Sequence, residues 1–181
     1  MRPSSRRGLP HRHLDAQVTQ SRWYIVVAGA FTLHNTEEAV GAQAMLRQVQ
    51  SQAPRFLRSF YSQVDVSDLR LGLAVLTLIG IALALIAIRT PRAPRSTYVM
   101  LLFSTVIGIN AFAHIMLSVI FREYMPGLLT AIFLCLPVAV ALWYRVWKDA
   151  WIPRTWLWTV VPAALLVHGP LLAGFIRTIS G

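Results

Sequence analysis

The sequence predicts an all-α membrane protein, a bundle of five transmembrane helices behind a disordered basic N-terminal tail. Hydrophobic residues fill 56% of the 181 positions and charged residues only 13%, about half the charged share of soluble domains. The apolar residues gather into five blocks separated by short polar joints, as membrane-spanning helices require. The Lys and Arg behind the net charge of +10 sit at block ends. That pattern suits topogenic charge and leaves no basic face for nucleic acid.

Residues 1–22 hold Arg2, Arg6, Arg7, Arg12 and Arg22 among Pro, Ser and Gln, a composition that cannot bury apolar area and is expected to stay disordered. His11 and His13 belong to that solvated tail. One domain, residues 23–177, follows. Span one covers about 23–46, with Trp23 and Tyr24 suited to a water interface and small residues such as Gly41 allowing close helix approach. Pro54 opens a short segment mixing Arg and aromatics, suited to a helix on the membrane surface, with a solvated loop as the alternative. Span two, 69–88, is purely apolar and ends at the prolines of the following joint. Span three, 98–121, carries Asn110, His114 and Ser118 at steps of four, a polar stripe expected to face span one. Pro126 opens span four, 127–147, which Pro137 should kink. Span five, 156–176, contains Pro170, whose missing N–H breaks or kinks the helix beside His168. Cys135, the sole cysteine, excludes an intrachain disulfide and reads as a small core residue.

Span one also contains His34-Asn35-Thr36-Glu37-Glu38. A lone acid at the centre of a spanning helix costs roughly 2.5–3.5 kcal/mol, so two adjacent carboxylates demand compensation. His34, Glu37 and Glu38 lie on one side of the helix. At 1.5 Å per residue, they share a layer with Asn110, His114 and His168, roughly 17–24 Å from the first ends of their spans. Thr130 reaches a similar level. Imidazoles and carboxylates at one depth supply the ligands for a divalent metal, Zn, Fe or Mn. The expected set is His34, Glu37, Glu38, His114 and His168, with Glu37 or Glu38 also acting as general base. The bland alternative is a structural hydrogen-bond or ion-pair network holding the bundle together. Asn110, Tyr124, Pro126, Gly127 and Thr130 are expected to support the site. The free N–H groups that open span four favour an anion, either substrate or Glu38.

These residues resemble the HXXEE family of bacterial integral membrane proteins. The resemblance rests on His34-Asn35-Thr36-Glu37-Glu38, on His114 as the family's further intramembrane histidine, and on Tyr124-Met125-Pro126-Gly127-Leu128-Leu129-Thr130 as its Tyr-x-Pro-Gly-x-x-Thr motif. It extends over about 23–176 and implies an enzymatic role that rests on the motifs themselves.

The expected function is a metal-dependent membrane enzyme acting on a lipid or isoprenoid-like substrate that enters from the bilayer. A metal-free Glu/His isomerase or cyclase, an ion or proton transporter, and a membrane scaffold are the alternatives. The oligomeric state is not encoded in any feature of the sequence. Lys and Arg number 11 on the side holding the N-terminus and the joints after spans two and four, against 6 on the other. This bias places the protein in the cytoplasmic membrane with its N-terminus inside. An Arg122→Cys variant made in a Cys135→Ser background should be labelled by an impermeant thiol reagent from the outer face; labelling from the cytoplasmic face alone would reverse the orientation.

Overall fold

The computed structural model describes residues 9–179, with side chains from Val18 onward except Phe56. These residues form six helices: α1 (Leu9–Gln52), α2 (Arg55–Tyr61), α3 (Val66–Arg89), α4 (Pro94–Phe121), α5 (Leu128–Lys148) and α6 (Arg154–Ile179). No strand occurs among the described residues.

Helices α3, α4, α5 and α6 are long and apolar enough to cross a membrane, four where five were expected. Helix α1 falls short on composition because His34, Asn35, Glu37 and Glu38 interrupt its apolar run. Its packing nevertheless follows α4 from end to end. At the start of α4 the Tyr24 hydroxyl donates to the Pro91 carbonyl and pairs with the Thr97 hydroxyl, both at 2.9 Å. Near its other end the Gln48 amide donates to the Tyr124 carbonyl and the Glu123 carboxylate at 3.0 Å. The stretch between Tyr24 and Gln48 is roughly 36 Å long at 1.5 Å per residue, enough to cover a hydrocarbon core of about 30 Å.

The tail corrects a second expectation. Residues 9–22, read as disordered, continue α1 as helix, whereas residues 1–8 lie outside the described residues. Once the apolar stretch has nucleated the helix, each added residue gains a hydrogen bond without a new nucleus. Pro10 falls in the first turn, where its missing N–H would have had no partner. The side chains of His11 and His13 are outside the description.

Local signals set the remaining boundaries. Asp65 caps α3 by accepting from the Asp68 N–H at 2.8 Å, while Asp68 accepts from the Asp65 N–H at 3.2 Å. The Asp68 N–H and then the Ser67 hydroxyl hold the Asp65 carboxyl below the usual carboxylate range. Pro94 opens α4, and Arg122 closes it in the left-handed region at φ 54°. Helix α5 contains a π turn at Ala131–Cys135 just before Pro137, and α6 contains another at Val167–Leu171 around Pro170. The chain accommodates both prolines by widening the helix rather than breaking it.

Two apolar clusters divide the interior. One joins Tyr24, Phe31, Met100, Ile107, Leu142 and Val160; the other joins Ala42, Leu46, Leu69, Leu73, Phe121 and Met125. On α1 the polar residues His34 to Glu38 lie between them, and on α4 so does His114. Helix α2 and Val64 close the second end, which supports the surface-helix reading over a plain loop.

Helix α1 packs tightly against the α4–α5 joint at Gly41, where an added Cβ would meet Pro126 Cβ at 2.4 Å. Gly41→Ala should therefore lower stability by about 1–3 kcal/mol through overpacking, read as an earlier tryptophan-fluorescence melt in detergent. Gly29→Ala has nothing within 4 Å to meet and should be neutral or slightly stabilising.

Candidate functional site

Adjacent residues on a helix point about 100° apart, so Glu37 and Glu38 cannot share partners, and the structure gives each its own. The Glu37 carboxylate reaches the start of α5. Its Oε1 accepts from the Tyr124 hydroxyl, from Gly127 N–H at 3.1 Å and from Leu129 N–H at 3.2 Å. Its Oε2 accepts from Thr130 N–H at 2.8 Å and the Thr130 hydroxyl at 2.6 Å. Five donors thus hold one carboxylate at a helix N-terminus, where the macrodipole also favours negative charge. Desolvation and the neighbouring Glu37 push the Tyr124 phenol up to about 12, so it remains a donor. The anion on this N-terminus is Glu37, which corrects the expectation of a substrate or Glu38 there.

Glu38 turns instead into the interior and is 4% exposed. Its Oε1 lies 2.9 Å from His34 Nε2, 2.5 Å from His114 Nε2 and 3.2 Å from the Asn110 amide nitrogen. The two imidazoles meet edge to face at 5.0 Å between ring centres. Of the stripe expected on α4, Asn110 and His114 do face α1, whereas its third member, Ser118, accepts from the Met125 N–H of the joint at 3.2 Å.

Hydrogen-bond donors and acceptors assign the His34 tautomer. Thr130 Oγ1 has one proton, and two of its neighbours, the Glu37 carboxylate and the Gly127 carbonyl at 3.2 Å, only accept. The 2.8 Å contact between Thr130 Oγ1 and His34 Nδ1 therefore needs the proton on Nδ1. That leaves His34 Nε2 to face the interior, toward Glu38 and Asn110. Asn110 donates to that Nε2 at 2.8 Å and accepts from His168 Nε2 at 3.1 Å.

His34 Nε2, Glu38 and His114 are buried and offer ligand atoms within 4.8 Å of one another, so they could hold a metal ion. Ligands in a tetrahedral zinc site lie about 3.3 Å apart, from bonds near 2.0–2.1 Å. The two contacts of 2.5 and 2.9 Å would have to open by less than an ångström, which side-chain rotation can supply. The donor set therefore fits. The protein also supplies the outer support that metal-bound histidines need, through His34 Nδ1, Thr130 and Glu37.

Two residues expected among the ligands lie elsewhere. Both Glu37 oxygens are committed to α5, and His168 reaches the group only through Asn110. Asn35, to which the sequence reading gave no role, also matters, and Gly127 supports the site as expected. Asn35 donates to the Leu73 carbonyl at 3.2 Å and the Thr77 hydroxyl at 2.8 Å, fixing α1 against α3. Gly127, at φ 94°, lies so close that an added Cβ would meet Glu38 Cγ at 3.0 Å and His114 Cε1 at 2.9 Å. Asn35 could have been noticed as another polar group at this depth; the Gly127 contact left no signal beyond its motif.

Among known proteins, the family described as "Protein of unknown function with HXXEE motif" matches residues 25–144. An uncharacterised protein of Bacillus subtilis strain 168, YrkK, is 29% identical over 151 residues, covering 79% of this chain and 88% of its own. No solved structure matches.

The two glutamates should part in a stability assay. Glu37→Ala strands the N–H groups of Gly127 and Thr130 and should cost at least about 2 kcal/mol. Glu38→Leu removes a buried carboxylate from between two histidines that can become neutral, and should stay within about 1 kcal/mol of wild type or exceed it. Melting both variants in detergent checks the division; equal losses would refute it.

Proposed function

We propose, from the premise that this chain belongs to the HXXEE family, that it is a membrane-embedded enzyme whose His34, Glu38 and His114 bind one divalent metal ion. The observation that carries this reading is the convergence of His34, Glu38 and His114, all buried, with ligand atoms within 4.8 Å of one another. A cation among them would bind both imidazoles and compensate the buried carboxylate. Two histidines and one glutamate leave a further position open, the arrangement of hydrolytic zinc sites. A bound metal would supply a Lewis acid and a water activated near neutral pH.

The chain's own groups perform the remaining tasks. Glu37 and Thr130 fix the His34 ring and its tautomer. Asn110 holds Glu38 and His34 in register and is the nearest polar group to His168, which is half-buried on the α6 side. The apolar clusters above and below keep bulk water from the layer. A site enclosed at this depth suits a substrate dissolved in the bilayer, a lipid or an isoprenoid-like molecule. Helix α1 serves as a fifth span, and the charge bias places its start in the cytoplasm.

One observation favours a second reading. His114 Nδ1 is buried without a hydrogen-bond partner, so its proton belongs on Nε2, directed at Glu38. That arrangement makes a metal-free proton-transfer pair. Metal analysis of detergent-purified protein separates the two. The metal reading expects about one equivalent of Zn, Fe or Mn in wild type and at least a tenfold loss in Glu38→Gln. Wild type lacking metal after reconstitution with each ion would leave the proton-transfer reading.

A further inference from the structure

Helices α1 and α3 enclose a groove on the side of α1 away from the Glu38 cluster, with a volume of about 620 Å³. Ala39, Val40, Leu73, Ala74 and Leu78 make its walls apolar, and Arg70 stands at one end. Arg70 lies four residues inside the start of α3, about 6 Å along the axis, close to the interface marked by the Asp65 cap. Its Nε donates to the Ala39 carbonyl at 3.0 Å, which ties the guanidinium across the top of the groove. Its two terminal nitrogens have no hydrogen-bond or ion-pair partner among the described residues.

A guanidinium is always charged, and at an apolar surface it needs an anion. Its free fork of donors matches the oxygens of a phosphate. Beyond it the apolar lining runs along α3 from Leu73 to Leu78, with the small side chains Ala39 and Ala74 leaving room in the groove. From Arg70 to Leu78 is roughly 12 Å along the helix, room for the upper half of an acyl chain. The same end of the bundle carries six Arg against three carboxylates, Asp65, Asp68 and Glu123. A headgroup of net negative charge is therefore favoured over a zwitterionic one.

We infer that this groove is a binding site for one anionic phospholipid, with the phosphate on Arg70 and an acyl chain between α1 and α3. The groove does not share residues with the metal cluster, so the inference stands apart from the proposed enzyme. Because Ala39 and Asn35 belong to the same helix as His34 and Glu38, a lipid here would also brace the α1–α3 contact.

Native mass spectrometry of delipidated protein, titrated with phosphatidylglycerol and phosphatidylcholine in competition, tests it. One phosphatidylglycerol should be retained in preference to phosphatidylcholine and should raise the melting temperature. Arg70→Gln should weaken this binding at least tenfold, about the loss of one charge-assisted pair. Arg70→Lys should recover part of it, and Ala74→Phe should block it by filling the groove while Arg70 is kept. Arg55→Gln, at the same end but outside the groove, should bind as wild type does. Equal retention of both lipids, equal losses in the Arg55 and Arg70 variants, or equal protection by inorganic phosphate alone would overturn the inference. A misfolded Arg70→Gln would leave the Ala74→Phe, Arg55→Gln and lipid-competition results to decide it.

Discussion

Two adjacent carboxylates inside an apolar bundle are the constraint on which the rest of the structure depends. Their side chains diverge by about 100°, so one compensating group cannot serve both. Glu37 is neutralised by the beginning of another helix, and Glu38 by imidazoles. The first solution requires a helix to start at membrane depth, which explains why the α4–α5 joint is pressed into the bundle. A spanning helix normally leaves its first N–H groups to water; here Gly127, Leu129 and Thr130 give theirs to Glu37. Each feature is costly alone, and together they satisfy one another.

That reciprocity dictates the local sequence. Pro126 must approach α1, and Gly41 makes room for it. Gly127 must take positive φ and pass between His114 and Glu38, where no Cβ fits. Thr130 must carry both an N–H and a hydroxyl, because it bonds Glu37 twice and His34 once. Tyr124 completes the Glu37 shell from the joint. The Tyr-x-Pro-Gly-x-x-Thr pattern is thus a receptor for the first glutamate of the other motif.

The sequence made the helical class, the four apolar spans and the shared polar layer legible, because period, length and depth follow from composition alone. It also placed His114 beside His34 and Glu38, since a stripe at steps of four can face only one neighbour. It did not separate Glu37 from Glu38. That distinction depends on which helix each side chain meets, a tertiary fact that spacing does not contain. The helical continuation through residues 9–22 was hidden for the opposite reason: composition argued for disorder, while the neighbouring span supplied the nucleus. The π turns lay behind Pro137 and Pro170, whose missing donors predict distortion but not its form.

His114 is where the two chemical readings meet. Its Nε2 is 2.5 Å from Glu38, and its Nδ1 faces Gly127 with no room for a bridging side chain. While Nε2 keeps its proton, the Nδ1 lone pair is merely unused, a smaller penalty than a buried N–H without an acceptor. A metal on Nε2 would move that proton to Nδ1, so binding must bring an acceptor to it, either water or a shifted Gly127 backbone. The glycine that brings α5 against the cluster is also the residue best able to yield. A metal bound there would therefore couple to a small movement of the α4–α5 joint, which through Glu37 and Thr130 also fixes the opposite histidine.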